Sequence, residues 1–105
     1  MKSYHLIVYT PVTHAPAVRQ ALASSGAGQI GNFNSCSFSS RGIGRFRPLK
    51  GSKPFLGSEG VIEEVEEEKI EVVVREGDLK KVVAAVKKVH PYEEPAMHVL
   101  PMVEV

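Results

Sequence analysis

The residues best suited to chemistry sit in one short segment, His90-Pro91-Tyr92-Glu93-Glu94-Pro95. The spacing His-x-x-Glu-Glu brings an imidazole and two carboxylates toward one turn, a donor set that suits zinc, copper or a similar divalent cation. Four ligands are the usual requirement, so His90, Glu93 and Glu94 need help. Cys36 is the outside candidate, and several chains meeting at an interface could complete the set. The favoured reading of the same residues is structural: His90 closes a helix, Pro91 stops it, and the glutamates pair with lysines at a subunit boundary.

A second group is basic. Arg41, Arg45, Arg47, Lys50 and Lys53 occur without an intervening acid, and Phe46 and Phe55 are interleaved. Such a pattern suits phosphate contacts with aromatic stacking. Glu59, Glu63, Glu64, Glu66, Glu67, Glu68 and Glu71 follow at once, and pairing between the two segments would cancel the long-range field. Nucleic acid is therefore disfavoured. A small anion held by Arg45, Arg47 and Lys50 is the sharper expectation.

Two other features carry less. Gly26-Ala27-Gly28-Gln29-Ile30-Gly31 is a literal GxGxxG, but dinucleotide binding needs it between a strand and a helix start. Here it leaves a helix, so the glycines are expected to shape a tight exit. Cys36 lies between Ser35 and Ser37 with no neighbouring base. A buried structural thiol is the expectation for it, and no catalytic residue is assigned.

The elements that must position these groups follow from periodicity. Tyr4 to Tyr9 is β-branched and aromatic and ends at Thr10-Pro11, which predicts a first strand. Val18, Ala21, Leu22 and Ser25 recur at helical spacing, with Pro16 in the first turn and Gly26 past the end. Residues 26–60 hold eight of the nine glycines; within them Ser35 to Ser39 predicts a second strand and the rest a long excursion. Ile70, Val72 and Val74 alternate with polar or opposite-facing residues, a third strand. Asp78 then caps a helix carrying Leu79, Val82, Val83, Val86 and Val89, with Lys87 and Lys88 in its last turn. Ala96 to Leu100 forms the last strand, and Pro101 places it at an edge.

The order β-α-β-β-α-β predicts an α+β fold, a ferredoxin-like sandwich with one antiparallel sheet and two helices on one face. One domain over residues 1–105 is expected from the length. The first strand is apolar on both sides, and two helices cover only one, so a homo-oligomer is expected to bury the other. A net charge of +1 gives no argument for an anionic partner, and one cysteine excludes an internal disulfide. No leader or membrane span is expected, and a cytoplasmic location follows from the reducing-compartment default.

Three stretches carry a resemblance: GAGQIGNFNSCSF (26–38), GIGRFRPLKGSKPFLGSEGVIEEVEEEKIEVVV (42–74) and HPYEEPAMHVLP (90–101). Together they resemble the PII/CutA-like domain inserted in Nif-three-like dinuclear-metal proteins, here expected to stand alone. The HPYEEP segment is also similar to CutA proteins, trimers linked to divalent metals. The resemblance implies a PII/CutA-like fold and a homotrimer. It does not carry over a dinuclear site, whose ligands lie in flanking halves absent from this sequence. The functional expectation is a non-catalytic trimeric module binding a divalent metal or small anion at subunit clefts. The alternatives are an interaction domain that docks on a protein partner and, last, a metal-dependent hydrolase.

Overall fold

A computed structural model describes residues 2–105. It contains strand β1 (Ser3–Pro11), helix α1 (Ala15–Ser24), strands β2 (Phe38–Phe46) and β3 (Glu63–Arg75), helix α2 (Leu79–Val89) and strand β4 (Met97–Pro101). Single 3₁₀ turns, Val12–His14 and Glu76–Asp78, introduce the two helices. The sheet order is β2-β3-β1-β4 with every neighbouring pair antiparallel. This is the ferredoxin-like α+β sandwich that the periodicity predicts.

Alternation in the central strands explains the layering. Leu6 and Val8 of β1 and Ile70, Val72 and Val74 of β3 are buried and meet Val18 and Leu22 of α1 and Val82 and Val86 of α2 in one cluster. Their chain neighbours His5, Ile7, Tyr9, Glu71 and Val73 point to the other side of the pleat and remain half-buried. The cost of exposing that face is thus only partly met within one chain.

Two strands and one helix cap differ from the sequence expectation. β2 runs over Phe38–Phe46, beyond the expected Ser35–Ser39. Its partner β3 begins at Glu63, well before Ile70. Both extensions have one cause: the basic β2 lies beside the acidic stretch of β3, with Arg41 opposite Glu68 and Arg45 opposite Glu64. Opposite charges facing each other across strands overcome the weak strand propensity of glycine and glutamate. Asp78 occupies the N-cap position of α2 but makes no side-chain cap bond. Its carboxylate is drawn instead to Lys81, 3.4 Å away.

Helix α1 ends on a hydroxyl. Ser25 Oγ donates toward the Ala21 and Leu22 carbonyls at 2.7 and 3.1 Å, adding to the bonds those carbonyls accept from the Ser25 and Ala27 amides. The glycine-rich exit then packs tightly, as expected. Gly28 donates to the Val73 carbonyl and accepts from the Cys36 amide. A side chain at Gly28 (φ +82°) would lie 2.5 Å from the Cys36 carbonyl oxygen. Among the described residues, no helix is long and apolar enough to cross a membrane.

Candidate functional site

The turn after α2 is organised by His90. This residue is the C-cap of the helix, and its own amide donates to Val86. Its ring is buried. Nε2 donates to the Tyr9 carbonyl at 2.7 Å, and Nδ1 accepts from the Tyr92 amide at 3.1 Å. A carbonyl can only accept and an amide can only donate, so these partners fix the neutral tautomer with its proton on Nε2. Burial pushes the His90 pKa below its ordinary value, outweighing the Tyr9 bond and the Glu67 charge that act the other way; His14 lowers it further.

With His90 holding the backbone, Tyr92 is aimed at the sheet. Its hydroxyl donates to Glu67 Oε2 at 2.9 Å. Burial, and then the bond and charge of Glu67, push its pKa well up, so the phenol remains a neutral donor. Phe46 and Phe55 pack beside Tyr92, with ring centroids 5.6 and 6.5 Å away. The His14 ring meets Phe55 edge-on at 5.2 Å. The loop carrying Phe55 is tied to the turn by a backbone bond: the Lys53 amide donates to Glu93 Oε1 at 2.7 Å.

These elements enclose a cleft of about 300 Å³. Its walls are the turn at 92–96, the loop at 48–55 and the end of β2; Tyr9 and Glu67 also line it. Arg45 and Lys53 reach the cleft, while Arg47 and Lys50 are exposed on the same loop. Arg45 Nε is paired with Glu64 at 2.6 Å. Of the three residues anticipated for an anion, one therefore lines the cleft and two flank it.

The anticipated metal set is not gathered in one chain. Glu93 and Glu94 line the cleft, but both ring nitrogens of His90 are engaged in the bonds above. Cys36 lies in the loop before β2 and lines two other cavities, one with Arg19 and Ser37 and one with His5 and Phe38. It is neither in a strand nor buried, contrary to expectation, because the close approach at Gly28 holds this segment in a loop. Among the described residues, no group of three or more histidine, cysteine or acidic side chains is arranged to hold a metal ion.

Sequence reasoning missed Glu67, Tyr92 as its donor, and the pairing of Arg19 with Glu68. Glu67 stands in a run of glutamates with nothing local to mark it, and only the fold buries it. Arg19 of α1 pairs with the buried Glu68 on the helix-facing side of β3 and reaches Ser39 Oγ at 3.4 Å. That ion pair closes the core end of the sheet and leaves the cleft to the residues on the other face.

Comparison with known proteins supports the fold and places the chain. No protein-family model matches it. A GTP cyclohydrolase 1 type 2 homolog of Halalkalibacterium halodurans is 52% identical over 99 residues, 94% of this chain and 27% of that protein. Its Bacillus subtilis counterpart is 46% identical over 97 residues, 92% of this chain and 26% of that protein. The chain thus spans about a quarter of the length of the curated relatives it matches. A Bacillus cereus protein related to NIF3 superposes with a TM-score of 0.85 at 42% identity, covering 98% of this chain and 26% of that one. The periplasmic divalent cation tolerance protein CutA of Archaeoglobus fulgidus superposes with a TM-score of 0.69 at 18% identity, covering 98% of this chain and 86% of that one. The chain has a PII/CutA-like fold and resembles, in sequence and structure, a quarter-length segment of NIF3-related proteins.

Proposed function

We propose that the chain is a non-catalytic trimeric binding module, holding a small anion or a divalent metal in clefts at subunit boundaries. The cleft between the His90–Ala96 turn and the loop at 48–55 carries this reading, because it gathers the basic loop and the acidic turn around one space. Its volume, about 300 Å³, lies at the small end of ligand pockets, as suits a compact ion or metabolite. Arg45 and Lys53 at the cleft, with Arg47 and Lys50 beside it, are the groups for an anion. Glu93 and Glu94 are the groups for a metal, with a neighbouring copy supplying the further ligands that one chain lacks.

The trimer rests on the sheet face away from the helices. Ile7, Tyr9 and Val73 are only half-buried there, beside the exposed Leu100, and a second and third copy would cover them. The longer relatives carry GTP in their name, so a nucleoside triphosphate belongs among the anions to try.

A docking reading has an observation of its own. Ile30, Phe33 and Phe38 are 54, 74 and 67% exposed, and the first two are joined by an isolated β-bridge that presents them together. A protein partner covering this patch would make the module an assembly element.

Thermal unfolding with inorganic phosphate, a nucleoside triphosphate or zinc tests the proposal. A bound ligand at 100 times its Kd stabilises the native state by about 2.7 kcal/mol. Stabilisation by an anion that disappears in the triple variant Arg45→Ala, Arg47→Ala, Lys50→Ala supports the anion arm. Stabilisation by zinc that disappears on Glu93→Ala, Glu94→Ala supports the metal arm. No shift with any of them moves the function to protein docking.

A further inference from the structure

The cleft contains one charged group that neither ligand arm uses. Glu67 is only 8% exposed, yet it lines the cleft. Its Oε2 accepts from Tyr92, and no described residue donates to Oε1. Among the described residues no cation forms an ion pair with it: Arg45 is taken by Glu64, and Lys53 meets Glu93 through its backbone. Lys69 shares its side of β3 without pairing with it.

The surroundings of that carboxylate are aromatic. Tyr9, Phe46, Phe55 and Tyr92 all line the same space. Gly44 leaves room for the carboxylate, since a side chain there would lie 2.0 Å from Glu67 Oε1. Among the described residues no buried side-chain oxygen is left without a partner, so Oε1 opens to the cleft, where an arriving cation can reach it. Aromatic faces attract cations and present no donor that would serve an anion.

We propose that the floor of this cleft binds an organic ammonium, a small primary or methylated amine with an apolar or aromatic body. The ammonium sits on Glu67 Oε1, and the body lies against Phe46, Phe55 and Tyr92. This goes beyond the reading above and is independent of it, because the two charges are recognised at different depths: the Arg45 side chain is 63% exposed, whereas Glu67 is buried.

Three probes of nearly one shape and three charges test it by titration calorimetry: phenethylammonium, 2-phenylethanol and phenylacetate. Phenethylammonium is expected to bind at least tenfold more tightly than the other two. Glu67→Gln is expected to reduce its affinity to that of the alcohol. Tyr92→Phe, which frees the second carboxylate oxygen, is expected to keep or strengthen binding. Phenylacetate binding as tightly as the amine, no binding of the amine, or unchanged binding in Glu67→Gln would each overturn the proposal. Should Glu67→Gln fail to fold, Gly44→Ala decides, since its methyl group lands on Oε1 and is expected to weaken the amine at least tenfold; undiminished binding there overturns it. Phosphate and zinc titrations of the same samples report on the rim, so failure of the amine alone leaves the rim reading standing, and the reverse holds.

Discussion

His90 Nε2 donates to the Tyr9 carbonyl at 2.7 Å, joining the end of α2 to the end of β1 across 81 residues of sequence. With Nδ1 accepting from the Tyr92 amide, the ring is a structural clamp that sets the turn and aims Tyr92 at Glu67. A proton added at Nδ1 would oppose the Tyr92 N–H and force the turn to open.

The first prediction concerns pH. Because the folded pKa of His90 lies below its ordinary value of 6.5, the unfolded chain binds the proton more readily. The stabilising preference for the neutral ring is fully present above pH 6.5 and is lost as pH falls below it toward the folded pKa. Urea midpoints between pH 7.5 and pH 5.5 should fall in the wild type and fall less in His90→Gln. Identical slopes in the two proteins would show that His90 does not titrate with unfolding.

Removing the clamp should also be costly at neutral pH. His90→Ala deletes two hydrogen bonds and leaves the part-buried Tyr9 carbonyl short of a donor, for a loss of about 2 kcal/mol. Equilibrium denaturation at pH 7.5 measures this directly. A loss under about 0.5 kcal/mol would mean that water replaces the ring without strain.

Gly28 tests the helix exit. Gly28→Ala places a methyl group 2.5 Å from the Cys36 carbonyl oxygen at a φ of +82°. Backbone must move, and a destabilisation of about 3 kcal/mol is expected from strain and clash together. Near-neutral stability in this variant would contradict the close approach of the loop to the sheet.

Arg19 and Glu68 test the other end of the sheet. Arg19→Ala strands a carboxylate that is only 7% exposed, and a loss of about 2 kcal/mol is expected, reduced from the fully buried case because Arg19 is partly solvated. The double change with Glu68→Gln should recover part of it. Additive losses in that cycle would show that the two side chains do not interact.

The element order was legible because its carriers are apolar and periodic: Leu6 and Val8, Val18 and Leu22, Ile70 to Val74, Val82 and Val86. The β2–β3 ribbon was not legible in its true register, because Ser40 to Arg45 and Glu63 to Glu68 have no apolar alternation. Their pairing depends on charge across strands 19 to 27 residues apart. At the site, the His90 turn stood out by residue type, but its role did not, since the Tyr9 carbonyl that engages the ring has no signature in sequence. Glu67 is chemically identical to its neighbours Glu66 and Glu68, and only the pleat, Gly44 and Tyr92 make it the floor of a cleft.

Native mass spectrometry of the untagged, gently purified protein reads its assembly and any bound ligand in one spectrum. A trimer is expected that carries a non-covalent adduct, or gains mass when phosphate, a nucleoside triphosphate or zinc is added, with the extra mass lost on denaturation. A bare monomer that takes up none of them would contradict that expectation.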